Sequence, residues 1–423
     1  MWYTVKMKPT SSNTAVTGAL LQVQLDQAED WQIEFQQFWV LLEHRLVRFE
    51  LRRNVIAYLA GLLSPVERKN GWQLAEQAGY LAPHAIQHIL GRAKWDADLV
   101  RDDLRTYVIK HLGGTDGIAV IDETGFLKKG DKSVGVARQY SGTAGRVENC
   151  QVGVFLGYTG AKGHAFLDRE LYLPAAWAED KDRREAAGVP DPEKVKFATK
   201  PQLAKKMLER AFAAGVSFAF VTADEVYGKD SKLRTFLEER PQPYVLAVAC
   251  NQHVWTDFCQ TRVDAVAAGL PEPAWRRLSC GEGSKGERLY DWALQEINGS
   301  QEPEWQRFVL VRRSISDPSD LAYYLCFAPA GTALERLVSV AGCRWSIEVG
   351  FEAAKGEVGL DEYEVRSWHG WYRHVTLSLL AHAFLCVLKA KGLTPAEKKG
   401  AVKRPANMSS LNAFKQKRGL CCL

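Results

Sequence analysis

The 423-residue sequence contains no C-x-x-C pair. Its nine cysteines, Cys150, Cys250, Cys259, Cys280, Cys326, Cys343, Cys386, Cys421 and Cys422, are scattered and odd in number. That excludes a zinc ribbon or a disulfide frame and reads as reduced, mostly buried thiols. No cleavable signal pattern is present before residue 28, where the apolar patch is only Ala19-Leu20-Leu21. A long apolar run is also missing: the longest, Thr376 to Leu388, is broken by His382 and is too short to cross a bilayer. Charge of one sign is scarce, with 55 Lys and Arg against 50 Asp and Glu, a mildly basic balance that permits a nucleic-acid partner without demanding one. There is no internal repeat. The remaining composition, 46% hydrophobic and 25% charged, excludes disorder, collagen and coiled coil for the whole chain, and its length suits two to four domains.

Residues 1–30 are expected to lack fixed structure. Residues 31–112 read as an all-helical domain, with Trp39, Leu42 and Leu46 at helical spacing and Arg45, Arg48, Arg52 and Arg53 around Phe49. Within it, Trp72 to Gly79, a bend, and Pro83 to Arg92 have the outline of a helix-turn-helix whose second helix would offer His84, Gln87, His88 and Arg92 to a DNA groove. Two ordinary packed helices would give the same pattern.

From Gly113 the texture changes. Ile118-Ala-Val-Ile-Asp-Glu123 is an apolar run ending in two acids, as in a buried strand, and strand-like runs follow at Ser133–Tyr140, Gln151–Tyr158 and Ala165–Leu173. A helix over Pro201–Ala214, a strand from Ser217 into Asp224, a helix over Lys232–Glu239 and a strand from Tyr244 complete a mixed α/β sheet flanked by helices, assigned to 113–249 and 334–388. A β-rich insertion fills 250–333, with strands at Leu289–Ile297, Gln306–Ser314 and Ala322–Ala328. One helix is expected from Leu334 through Glu357 and another over Thr376–Leu388. The basic tail, 389–423, carries nine Lys or Arg and the single acid Glu397.

Three acids stand out by position. Asp122 and Asp224 close two buried strands, and functional groups gather at the carboxyl ends of parallel strands. Glu348 lies on the late helix, where Arg344, Glu348 and Lys355 share a charged stripe beside the apolar Ile347, Phe351, Ala354 and Val358. Converging carboxylates repel unless a cation neutralises them, and hard oxygen ligands suit Mg²⁺ or Mn²⁺. Two such ions would activate a water or hydroxyl for phosphodiester chemistry. Singly, each acid fits a cap or turn equally well, and the stripe fits a solvated face with Arg–Glu pairing.

With these residues in place, the sequence resembles the bacterial insertion-sequence transposases of the DDE type. The late helix fits the signature Tyr-x2-Arg-x3-Glu-x6-Lys through Arg344, Glu348 and Lys355, although Ala341 stands at the tyrosine position. Trp345, Ile347, Phe351, Gly359-Leu360, Arg373-His374, Ile121–Gly130, Val136–Gly145 and Val221–Gly228 also resemble one subgroup, and the likeness covers roughly Phe35 to Leu388. The resemblance implies a ribonuclease-H-like core in which Asp122, Asp224 and Glu348 bind two Mg²⁺, or Mn²⁺. It implies that Arg344 and Lys355 hold transposon-end phosphates and that the insertion helps grip DNA. The expected partners are double-stranded DNA, as element ends and target, and a second copy of the chain; the expected place is the bacterial cytoplasm, at the nucleoid when on DNA.

Weaker signals remain. Gly281 to Gly286 matches G-x-G-x-x-G by letter but reads as a hairpin loop, and His164 as a structural histidine. Trp255, Trp275 and Trp292 could stack on an extruded base, although large aromatics usually pack. The rival reading is a DNA-binding regulator that no longer cuts; a second rival is a plain ribonuclease-H-like nuclease. A binder has no need of three acids beside phosphate, which argues against the first.

Overall fold

The computed structural model describes residues 30–142, 144–257, 259–283, 286–298 and 302–392. The start, residues 1–29, and nearly all of the basic tail lie outside them, with the expectations made for those segments.

Five helices open the chain: α1 (30–43), α2 (Phe49–Leu63), α3 (Gly71–Gln77), α4 (His84–Gly91) and α5 (Ala97–Leu112). Local chemistry sets their ends. Asn70 caps α3 by accepting from the Trp72 and Gln73 amides, and Asp96 caps α5 in the same way from Asp98 and Leu99. The bend between α3 and α4 is made at Gly79, whose φ of 76° favours glycine.

The sheet follows. Its strands are β1 (Ile118–Leu127), β2 (Ala137–Ser141), β3 (Arg146–Gly160), β4 (Gly163–Tyr172), β5 (Phe220–Ala223) and β6 (Tyr244–Val248). β3 pairs with β4, β2 and β1, all antiparallel, while β5 lies parallel to β1, and β6 to β5. This three-strand meander followed by two parallel strands is the ribonuclease-H-like arrangement. Short helices α6 (Ala175–Glu179) and α7 (Lys181–Ala186), then α8 (Lys200–Ala213), α9 (Glu225–Gly228) and α10 (Ser231–Glu238), connect and cover it.

The next stretch holds a separate hairpin, β7 (His253–Thr256) with β8 (Cys259–Arg262), and α11 (Val263–Ala268). It then adds β9 (Arg276–Gly283), β10 (Gly286–Ile297), β11 (Trp305–Arg313) and β12 (Leu321–Pro329). These continue the main sheet, because β12 pairs antiparallel with β6 and the meander runs out to β9, ten strands in all. Gly283 ends β9 and pairs antiparallel with Gly286 at the start of β10, so the described glycines of the G-x-G-x-x-G letters belong to a hairpin, as expected.

The chain closes with α12 (Leu334–Cys343), α13 (Trp345–Val358) and α14 (Trp368–Ala390). The single helix expected over Leu334–Glu357 is interrupted at Arg344. There the packing is tight: a Cβ on Gly342 would overlap the Cys280 carbonyl oxygen, and Arg288 donates to the carbonyls of both Gly342 and Cys280. The β9–β10 hairpin therefore clamps the helix just before α13 begins.

α14 is longer than the apolar run that announced it and reaches a length and hydropathy that would suit a membrane span. Most of it is enclosed by α2, α4, α5, α13 and β4, so it is the central helix of the core. Two side chains on it do structural work. Arg373 donates to the carbonyls of Leu90, Gly91 and Trp95, satisfying the open end of α4. His374 is fully buried between the Tyr58 hydroxyl at 2.7 Å and the Gly359 carbonyl at 3.1 Å, and burial pushes its pKa down to about 3, so it is neutral. One continuous apolar core runs from Phe38 to Leu388.

Candidate active site

Asp122 was expected at the end of its strand, but β1 continues five residues further, to Leu127, held by β3 alone. Pairing with β5 stops at Ile121↔Ala223, so Asp122 and Asp224 are the next residues on two parallel neighbours. The two aspartates thus stand side by side where β5 ends. Asp224 turns there into α9 and caps it, accepting from the Val226 amide at 2.8 Å.

Strand alternation sorts the side chains after Ile121. Asp122 and Thr124 face α13, and each takes one of its cations. Arg344 donates to Asp122 at 3.4 Å and to Glu348 at 2.9 Å, bridging the first and third acids. Lys355 donates to the Thr124 hydroxyl at 2.9 Å and to the Gly125 carbonyl at 3.2 Å. Glu123 points the other way, to Lys200 at 2.7 Å and to the Tyr227 hydroxyl at 2.6 Å. The expected apolar stripe Ile347, Phe351, Ala354 and Val358 is buried against the sheet, and the Ser346 hydroxyl meets that of Thr159 on β3.

The electrostatics are unbalanced toward acid. Burial first, then the charge of Asp224, raises the Asp122 carboxyl well above its ordinary range, against the pull of Arg344. Asp224 is raised to about 6 by burial and by Glu123, opposed by the Val226 amide and Arg344. Burial works against the Arg344 charge, but Asp122 and Glu348 outweigh it and hold the guanidinium firmly protonated. Burial lowers the Lys355 ammonium.

This donor set, carboxylates crowded on neighbouring strands where β5 ends, with too few cations, has the chemistry of a hard divalent cation site. Among the described residues, no group of three Asp, Glu, His or Cys side chains is close enough to ligate one ion. Glu348 is drawn onto Arg344 instead.

Lys200 and Tyr227 were not singled out in the sequence, although Tyr227 sits in Val221–Gly228 and Lys200 opens α8 inside the capping box of Thr199 and Gln202. Gly228, which ends the same stretch, has a steric reason: a Cβ there would lie 1.9 Å from the Ala247 carbonyl oxygen on β6. Gly228→Ala is therefore expected to force α9 away from β6 and to cost about 1–3 kcal/mol, measured by urea denaturation. A change below 0.5 kcal/mol would show that α9 can shift freely.

The other DNA-facing candidates lie apart. Gln87, His88, Arg92 and His84 are exposed on α4, all on its outer side. Trp292 does not fit the stacking role: it is 1% exposed, packed between Tyr290 and Tyr324, and presents no free face. Trp275 lies under the Arg313 guanidinium, and Trp255 is exposed. Asp168, a further acid on β4, is buried among arginines elsewhere.

A family model described as DDE superfamily endonuclease matches residues 42–279. The chain belongs to this family. The matched stretch holds Asp122 and Asp224 but ends before Glu348, so the DDE model itself does not reach the third acid. The chain is also 30% identical over 200 residues to a protein of Microchaete diplosiphon named "Probable transposase for insertion sequence element IS701". That match covers 46% of this chain and 48% of the relative, so the chain spans about half the length of the curated relative it matches.

Proposed function

We propose that this DDE-family chain is a DNA transposase that binds the ends of an insertion sequence, cleaves a strand there and joins it to target DNA. The observation that carries the reading is Arg344, which ties Asp122, the neighbour of Asp224, to Glu348 on α13. Two of the three carboxylates are thereby held on one guanidinium, and Asp224 stands beside the first of them where β5 ends.

In this reading Asp122, Asp224 and Glu348 hold two Mg²⁺, or Mn²⁺, with Glu348 turning from Arg344 toward the aspartates. Bound there, the ions would supply Lewis acidity at the scissile phosphate. Arg344, released on one side, keeps its charge and can pair with a phosphate oxygen in the fork geometry guanidinium favours. Lys355 braces β1 just beyond Asp122 and lies on the same face, in reach of a neighbouring phosphate. Glu123, held by Lys200 and Tyr227, fixes the far face of the strand. The helical region, with Gln87, His88 and Arg92 outward, reads the end sequence, and work at two ends calls for a dimer on DNA.

The test is cleavage of a duplex carrying the element's end, by the full chain with Mg²⁺, with Mn²⁺ and with EDTA. Cutting that requires the cation, followed by strand joining when target DNA is added, is the expected result. End binding with no cutting under any cation would overturn it and identify a DNA-binding regulator.

A further inference from the structure

Beside the acids, on the Glu123 face of β1, a groove of about 610 Å³ opens between the start of α8 and the α9–α10 turn. Its basic lining is Lys200, Lys205, Lys229 and Lys232, with Tyr172 along one wall. The one carboxylate in the lining, Asp230, is engaged by the Leu233 amide as the cap of α10. Lys205 is only loosely paired, 3.9 Å from Glu209, and Lys229 and Lys232 are exposed with no acid partner among the described residues.

The groove is joined to the acid site by shared residues. Lys200 lines it and also bonds Glu123, and Val226 lines it while its amide binds Asp224. The groove therefore adjoins Asp224 through Val226, two residues further along the chain. Four cations in a channel with an aromatic wall suit a sugar–phosphate backbone held chiefly by charge, with the polar Thr199, Gln202 and Ser231 also in the lining.

We propose that this groove holds the backbone of the single DNA strand that continues past the scissile phosphate. The proposal rests on the DNA-cleaving reading of the acids but concerns a separate binding surface. The lysines come from two sides, α8 and the α9–α10 turn, as a single backbone laid between them requires; a duplex bound equally well through the same lysines would be the contrary finding.

The test uses the full chain without divalent cation, so that no cleavage is needed. A 20-nucleotide single strand is bound and exposed lysines are acetylated, then read by mass spectrometry. Lys229 and Lys232 are expected to be protected, and 1 M salt to remove the protection, while Lys162, in the β3–β4 turn at the other end of β1, keeps its reactivity. In parallel, the double variant Lys229→Ala/Lys232→Ala is titrated with the same strand over a range of salt. Two lost phosphate contacts should lower the slope of log K against log salt by about 1.4. Unchanged labelling and an unchanged slope would overturn the groove while leaving metal-dependent cleavage intact. A chain that binds no DNA at all would overturn both readings.

Discussion

Asp122→Asn is expected to abolish cation-dependent cleavage while leaving the protein at least as stable at neutral pH. The two halves of that result have one cause. Asparagine keeps the shape of the side chain and removes a charge that burial and the neighbouring Asp224 already oppose. A carboxyl whose folded pKa lies above its unfolded value binds its proton more tightly in the native state. The charge therefore lowers stability as pH rises through that window, from about 4 in the unfolded chain to the raised folded values. For Asp224 the window ends at about 6. Removing the Asp122 carboxyl takes its own contribution out of this decline, so the loss of stability between pH 4 and 6 becomes shallower. Activity moves in the opposite direction, because a ligand and its charge are gone from the place where charge develops; a loss on the order of 10³-fold is the scale for such a group. Urea denaturation at pH 4.5 and 7.5, alongside the cleavage assay, separates the two effects. If Asp122→Asn instead unfolds at markedly lower urea at pH 7.5, Asp122 is a structural acid and the site reading falls.

The ribonuclease-H-like sheet was legible because its central strands announce themselves. Ile118 to Ile121 are apolar and Phe220 to Ala223 apolar but for Thr222, without alternation and buried throughout, as strands covered on both faces are. Their ends were less legible. A polar run from Asp122 to Gly125 looks like a strand terminus, yet pairing with β3 alone carries the backbone on to Leu127. The interruption at Arg344 is invisible locally, since helix spacing continues through it; it arises from Arg288 and Cys280, more than 50 residues away. For the same reason the partners of Glu123 were missed: Lys200 and Tyr227 are 77 and 104 residues distant in sequence. Trp292 shows the converse. An isolated tryptophan in a strand-rich region carries no local sign of which face it occupies, and the sheet turned it inward.

Sequence position alone also could not separate Asp122 from Asp168, since both are strand acids on the same sheet. Their surroundings do. Asp168 is 1% exposed and accepts from Arg101 at 3.0 Å and from Arg210 at 2.9 Å, with Arg169 adjacent at 3.6 Å. Arg210 also reaches Glu170, and Arg169 reaches Asp98, so the network joins α5, β4 and α8, and the Tyr372 hydroxyl on α14 closes it through Glu170. Here burial opposes the charge, but the guanidinium groups of Arg210, Arg101 and Arg169 outweigh it and hold the carboxyl below its ordinary value. The sign of the linkage is therefore reversed: Asp168 contributes stability that is present above pH 4 and is lost as pH falls through its lowered folded pKa. Asp168→Asn leaves buried guanidinium groups without their shared acceptor and is expected to cost about 3–5 kcal/mol, the range for breaking a buried ion pair from one side. The variant should also lack the part of acid unfolding that this carboxylate causes, so the gap between it and the native chain should narrow below pH 4. A stability loss under 1 kcal/mol at pH 7 would mean that Glu170 and Asp98 suffice for the arginines, and that acid in excess of cation no longer distinguishes the Asp122 site from the rest of the sheet.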